Sequence, residues 1–239
     1  MVLRCMEGWN HSWFCEARRM KRRKSPSPSY DHSISALFSL LSLILFATFG
    51  LAVLFFGERF LFWQHAFSDL GDTVTRQGHC NLSSRVIFSV GMIIESCIML
   101  RISSRYAENQ NFRNQAIKRW LALLGAIGFV VSLYPNNINH FIHSLGVGTV
   151  IGVLYLFTMI FHFELKPRIP TRFFYTDLAV IQVAVFSYAV SFFADSASKQ
   201  VFQKICIIGL FLALQRIVTI AEEGFSPSEM LGALKRFQH

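Results

Sequence analysis

The chain has 239 residues, 53% of them apolar and 15% charged, with 23 Lys and Arg against 14 Asp and Glu, giving a formal net charge of +9 and a pI near 9.6. In a soluble protein that balance would point to nucleic acid, but no aromatic-basic stripe or finger spacing accompanies it, and membrane topology accounts for the excess. A phosphate-cradling Gly-rich loop, a Gly-x-Ser-x-Gly elbow and a His-Glu-x-x-His helix are all missing, so the familiar soluble enzyme signatures are excluded.

Residues 1–32 carry the basic run Arg18, Arg19, Lys21, Arg22, Arg23, Lys24, followed by Ser25-Pro26-Ser27-Pro28-Ser29. Such a composition buries little and predicts a disordered tail. The charged region and the apolar stretch after it are both too long for a cleavable signal sequence, and no small-residue cleavage pattern follows. The tail reads as a topology anchor that touches anionic lipid. A sharper alternative is an electrostatic switch, in which phosphorylation at Ser25 or Ser27 releases it.

Next come six apolar stretches, at 33–56, 82–102, 117–134, 138–161, 173–194 and 202–221. A spanning helix needs about 20 mostly apolar residues, so this pattern predicts an all-α, polytopic membrane protein built as a compact bundle of six transmembrane helices. The third stretch is short and ends in Pro135-Asn136-Asn137, which would also suit a hairpin dipping into the membrane; its length favours a full crossing. Residues 33–221 form the transmembrane domain and 222–239 a short tail. If the first tail is cytosolic, that side collects all but five of the 23 cationic residues, leaving Arg59, Arg76, Arg85, Lys199 and Lys204 opposite. Positive loops resist translocation, so both termini are expected in the cytosol.

The largest external loop, 57–81, starts with Phe60, Phe62, Trp63 and Phe67, which suit the headgroup belt, and then turns polar at His65, Ser68, Asp69, Gly71 and Asp72. It is expected to lie on the membrane. Asn81-Leu82-Ser83 matches the glycosylation pattern but abuts the second span, too near the bilayer for modification. Cys5 and Cys15 fall in the tail, Cys97 and Cys206 within spans, and Cys80 on the far side, so no disulfide framework can form.

In the second span Glu95 is an intramembrane acid, costly by a few kcal/mol unless it faces protein or water. Gln182, Ser187 and Gln215 are its candidate partners. Asp177 and Asp195, near opposite ends of the fifth span, are more easily solvated. The fourth span opens with His140 and His143, three apart and so on one helix face. His140 also begins the series His140, Ser144, Gly148, Gly152, whose small side chains would admit a neighbour such as the third span with its Gly125, Gly128 and Ser132. The candidate polar cluster is therefore Ser68, Asp69, Asp72, His140 and His143 at the non-cytosolic face. Asp69, His140 and His143, completed by His65 or His79, are ligand types for zinc; a hydrogen-bonded network joining loop to helix is the simpler reading.

His65-Ala66-Phe67-Ser68-Asp69-Leu70-Gly71 after the first span, and the stretch 128–146 with Tyr134-Pro135 and then His140 to His143, resemble two landmarks of the Frag/DRAM/Sfk group and of a related microbial membrane family of unknown function. The resemblance covers roughly residues 35–221. It implies a bundle of five or six helices in endomembranes or the plasma membrane, with roles in autophagy, lysosomal function or remodelling of lipid-anchored proteins. It marks Ser68, Asp69, Gly71 and His140 without giving any a catalytic role. A more distant likeness is to membrane hydrolases of the ceramidase and adiponectin-receptor type, which hold zinc with Ser, Asp and three His to cleave a lipid amide or ester. The sixth span has no His, so that pattern is incomplete. Three classes therefore compete: a non-enzymatic bundle binding membrane lipid or a membrane-protein partner, a metal-dependent lipid hydrolase, and a small-solute or proton-coupled transporter using Glu95.

Overall fold

The computed structural model describes residues 32–108, 112–167, 169–194, 196 and 198–223. The basic tail with Ser25 and Ser27, the segment 224–239 and Asp195 lie outside the described residues. Within them the elements are six α-helices and one 3₁₀ turn, with a single isolated antiparallel bridge between Val74 and Cys80: α1 (His32–Leu54), the turn Phe67–Gly71, α2 (Leu82–Glu108), α3 (Gln115–Val131), α4 (His140–Leu165), α5 (Thr171–Phe193) and α6 (Lys199–Glu223). Five of the six helices are long and apolar enough to cross a membrane; α3, with 17 residues, is shorter. A multi-pass helical membrane protein follows from this.

The helix ends have local causes. The Asn139 side chain accepts the Ile142 N–H at 3.1 Å and caps α4. Pro170 stands just before α5, where its missing N–H costs nothing. At the end of α1, Gly57 passes so close to the Cys80 carbonyl that a Cβ could not fit. The helix α2 runs to Glu108, well past the apolar stretch that ends at residue 102, because backbone hydrogen bonding continues through the polar sequence Arg101 to Glu108.

Successive helices alternate in direction, as pairs along each seam show. In α2 the Ser96 and Ser103 hydroxyls donate to the Ala126 and Arg119 carbonyls of α3, at 3.0 and 3.1 Å. The α3–α4 seam runs from Lys118–Glu164 (2.6 Å) at one end to Ser132 beside Gly146 at the other. His162 reaches the Phe174 carbonyl (2.9 Å) and Tyr155 bonds Gln182 across α4–α5. Arg216 pairs with Asp177 (2.8 Å) across α5–α6, and the Gln215 amide donates to Ser39 (2.7 Å) across α6–α1. Phe38 of α1 meets Phe157 and Phe161 of α4 edge-on toward the end that holds Lys118, whose ammonium is 4.3 Å from the Phe161 ring. The short helix α3 is thus paired over its whole length with two longer ones.

Two ends result, named here by His140 and by Lys118. Helix α5 is the least buried: Val180, Val183, Phe186, Val190 and Phe193 are each at least 60% exposed and form one outward stripe. In lipid such a stripe carries no penalty, because the acyl chains are as apolar as the side chains.

The small-residue expectation for α4 needs correction. Gly125, Gly128 and Ser132 of α3 do face α4, but they meet Val153, Thr149, Val150 and Gly146. Gly148 and Gly152 are on another face, where an added Cβ would meet nothing within 4 Å.

Candidate functional site

At the His140 end part of the loop after α1 folds into the bundle. Leu70 is fully buried, and Gly71 sits so tightly on the Phe88 ring that a side chain there would collide. Asn81, 1% exposed, holds the loop shut: its Nδ2 donates to the carbonyls of Leu70 and Asp72, at 3.3 and 3.1 Å, and its Oδ1 accepts the Gly57 N–H at 3.1 Å. Ser84 donates to the Leu70 carbonyl as well. Phe62 and Trp63 stay exposed, as interfacial aromatics should, whereas Phe60 and Phe67 pack inward.

The other anchor is Lys204, from the first turns of α6. Its ammonium donates to the carbonyls of Phe62 (2.6 Å), His65 and Gln200 (3.2 Å), and lies over the Phe62 ring. A buried ammonium is tolerable when three acceptors and a π face replace its water. Beside it, Gln203 Oε1 accepts the Phe67 N–H at 3.2 Å.

Four of the five predicted cluster residues come together. Ser68, Asp69, His140 and His143 line one polar cavity of about 330 Å³, walled also by Arg76, Asn136, Ser144, Tyr188, Lys199, Gln200 and Gln203. Asp72 is beside the cavity and accepts the Asn137 N–H at 2.9 Å, tying the loop to the α3–α4 connection. Burial pushes its carboxyl up to about 6, with the Asp69 charge adding to the effect and the Asn137 N–H opposing it. Below, a narrower apolar cavity of about 50 Å³ shares Ser68, Val147 and Gln203 with the polar one.

The donors and acceptors of the cavity are not all matched. Asp69 Oδ2 accepts from the Ala66 N–H and from Arg76, both at 3.0 Å, so it is engaged. His143 is 2% exposed; its Nδ1 lies 2.8 Å from the Tyr134 carbonyl, which can only accept, so the proton is on Nδ1 and Nε2 presents a lone pair. That Nε2 has no partner, and neither has Gln200 Oε1. By the same reasoning His140 donates from Nδ1 to Asn136 Oδ1 (2.6 Å), and its Nε2 is within 3.4 Å of the Ser144 hydroxyl.

The zinc set fares differently. Among the described residues no group of three or more His, Cys, Asp or Glu is placed to hold a metal ion. Asp69 is turned toward Arg76 and each imidazole toward its own neighbour, so Asp69, His140 and His143 share a cavity without converging on a point. His65 and His79 do not complete the set: both face Glu58, His65 Nε2 at 3.0 Å and His79 Nδ1 at 3.7 Å.

Glu95 is fully buried in α2 with neither carboxyl oxygen hydrogen-bonded. Of its expected partners, Gln182 bonds Tyr155 and the Gln215 amide donates to Ser39. Glu95 is not among the lining residues of either cavity described above.

Sequence reasoning did not single out Asn81, Arg76, Gln203 or Lys204 for this site. A lysine and two glutamines within the first turns of an apolar helix, at Gln200, Gln203 and Lys204, were the available signal. No protein-family model, curated protein or solved structure matches this chain.

Proposed function

We propose that the protein is a non-enzymatic, lipid-binding membrane bundle that receives a headgroup in the polar cavity at its His140 end. The observation that carries this reading is the unpartnered Nε2 of His143, nearly water-free and on the wall of a 330 Å³ polar cavity. A buried acceptor left unpaired costs about 1–3 kcal/mol, a cost that a ligand donor would remove. The apolar cavity beneath, sharing walls with the polar one, gives the site the two-part character of an amphiphile.

The finer topology belongs to the same proposal: six crossings including α3, both termini cytosolic, and the cavity on the non-cytosolic face. The distribution of Lys and Arg supports it, as does the pairing of α3 along its length with α2 and α4. Ser68, Asp69 and His140, which carry the likeness to the Frag/DRAM/Sfk group, all line this cavity, and that likeness would fit an endomembrane or plasma-membrane protein. Among the described residues the hydrolase alternative has no converging metal ligands, and for the transporter alternative Glu95 lines neither the polar nor the apolar cavity.

Native mass spectrometry of protein released from mild detergent tests the proposal. One lipid retained per chain, and lost in His143→Ala, is expected. Wild-type protein free of lipid under conditions that preserve its fold would end it.

A further inference from the structure

The two helices that wall the cavity on one side, α4 and α5, touch at few places along their length. His140 stacks on Phe192 at one end, with ring centroids 6.2 Å apart. Midway, Tyr155 bonds Gln182, and at the far end His162 stacks on Phe174. Ser144 faces the cavity next to His140, and helical spacing carries the same α4 face on through Gly148 and Gly152 to Tyr155. An added Cβ at either glycine would meet no atom within 4 Å. The face of α4 turned toward α5 is therefore an open groove, running from the polar cavity to the Tyr155–Gln182 bond.

Its length fits one kind of occupant. From Ser144 to Tyr155 the helix rises about 16 Å, half of the roughly 30 Å hydrocarbon thickness and so the depth of a single leaflet. The groove is flanked on the lipid side by the exposed stripe of α5, including Val183, Phe186 and Val190. At its mouth the unpartnered acceptors, His143 Nε2 and Gln200 Oε1, call for a ligand that donates. We infer that a membrane lipid enters sideways between α4 and α5, lays one acyl chain over Gly148 and Gly152, and offers an N–H or O–H of its headgroup to His143 and Gln200. This rests on the headgroup site proposed above and adds to it a doorway and a headgroup class.

Phosphatidylethanolamine and phosphatidylcholine separate the possibilities well, because the first donates from an ammonium and the second has no N–H or O–H on its choline. Delipidated protein is exchanged into detergent holding both at equal concentration, and retained lipid is counted by native mass spectrometry. Wild-type protein is expected to keep phosphatidylethanolamine at least tenfold over phosphatidylcholine. Gly148→Leu and Gly152→Leu should each cut that retention at least tenfold while folding normally, since the leucine fills empty space. Gly50→Leu, which adds the same bulk at an open site on α1, should behave as wild type. His143→Ala and Gln200→Leu should each lose the retained phosphatidylethanolamine, and the second guards against a folding defect in the first.

If the glycine variants retain lipid like wild type while His143→Ala and Gln200→Leu lose it, the doorway is wrong and the headgroup site stands. If wild type holds both lipids equally and neither His143→Ala nor Gln200→Leu changes that, the headgroup site itself fails, and the inference with it.

Discussion

Asp72 accepts the backbone N–H of Asn137 at 2.9 Å, so one carboxylate joins two connections that are 65 residues apart in the chain. That carboxyl titrates near 6 instead of 3.8. The folded chain therefore holds more protons than the unfolded one between those values, and stability is fully present below about pH 4 and lost as pH rises through 6. The shift corresponds to about 3 kcal/mol at most. Thermal unfolding in detergent should show a higher Tm at pH 5 than at pH 7.5, and Asp72→Asn should flatten that difference while keeping the acceptor for Asn137. A pH profile unchanged by Asp72→Asn would remove Asp72 as its source.

Asn81 sits in a glycosylation pattern, yet its side chain is spent on four backbone groups of the loop, including the Asp69 carbonyl at 3.4 Å. Folded protein expressed in a secretory-pathway host should show no mass change on treatment with an amidase that removes N-glycans. Asn81→Ala should cost about 2–4 kcal/mol, because it removes the side-chain partner of the Asp72 carbonyl and of the Gly57 N–H together, whereas the Leu70 and Asp69 carbonyls keep Ser84 and the Asp72 N–H. Asn81→Asp, which keeps the acceptor for Gly57 and loses the donors, should fall between the two in thermal unfolding.

Glu95 presents the opposite case, a buried polar group with nothing to hold it. Replacing it by Met keeps roughly the same volume and removes the unmet hydrogen-bonding demand. The expected gain is about 1–3 kcal/mol, read as a rise in Tm, whereas Glu95→Gln leaves an amide equally unpartnered and should gain little. A loss of stability in Glu95→Met would show that the carboxyl has a favourable partner after all.

Helix number and position were readable because a bilayer imposes a length, and apolar runs of that length are conspicuous in 33–56 or 138–161. The meeting of Ser68 and Asp69 with His140 and His143 was readable too, once alternating helices put the loop after α1 and the start of α4 at the same end. Loop folding was not, since its anchors arrive from far along the chain: Gln203 lies 136 residues from Phe67, and Lys204 lies 142 residues from Phe62. Nothing local distinguishes such a lysine from a solvated one. The small-residue series on α4 shows another limit. Spacing tells that Ser144, Gly148 and Gly152 share a face, but only packing tells that α3 takes Gly146 instead and leaves that face open.

Cys80 offers a direct test of which face is which. It is exposed at the His140 end, in the loop between α1 and α2, and well separated from the Lys118 end where α2, α4 and α6 finish. With six crossings and cytosolic termini, a membrane-impermeant maleimide added to the non-cytosolic side should label a variant whose other cysteines are replaced by serine. Tags on the amino and carboxyl ends should be protected together from protease on that side. If α3 failed to cross, its two flanking loops would share a side, and the two tags would become accessible from opposite faces. Labelling of Cys80 from the cytosol would invert the whole bundle and put the proposed headgroup cavity on the cytosolic leaflet.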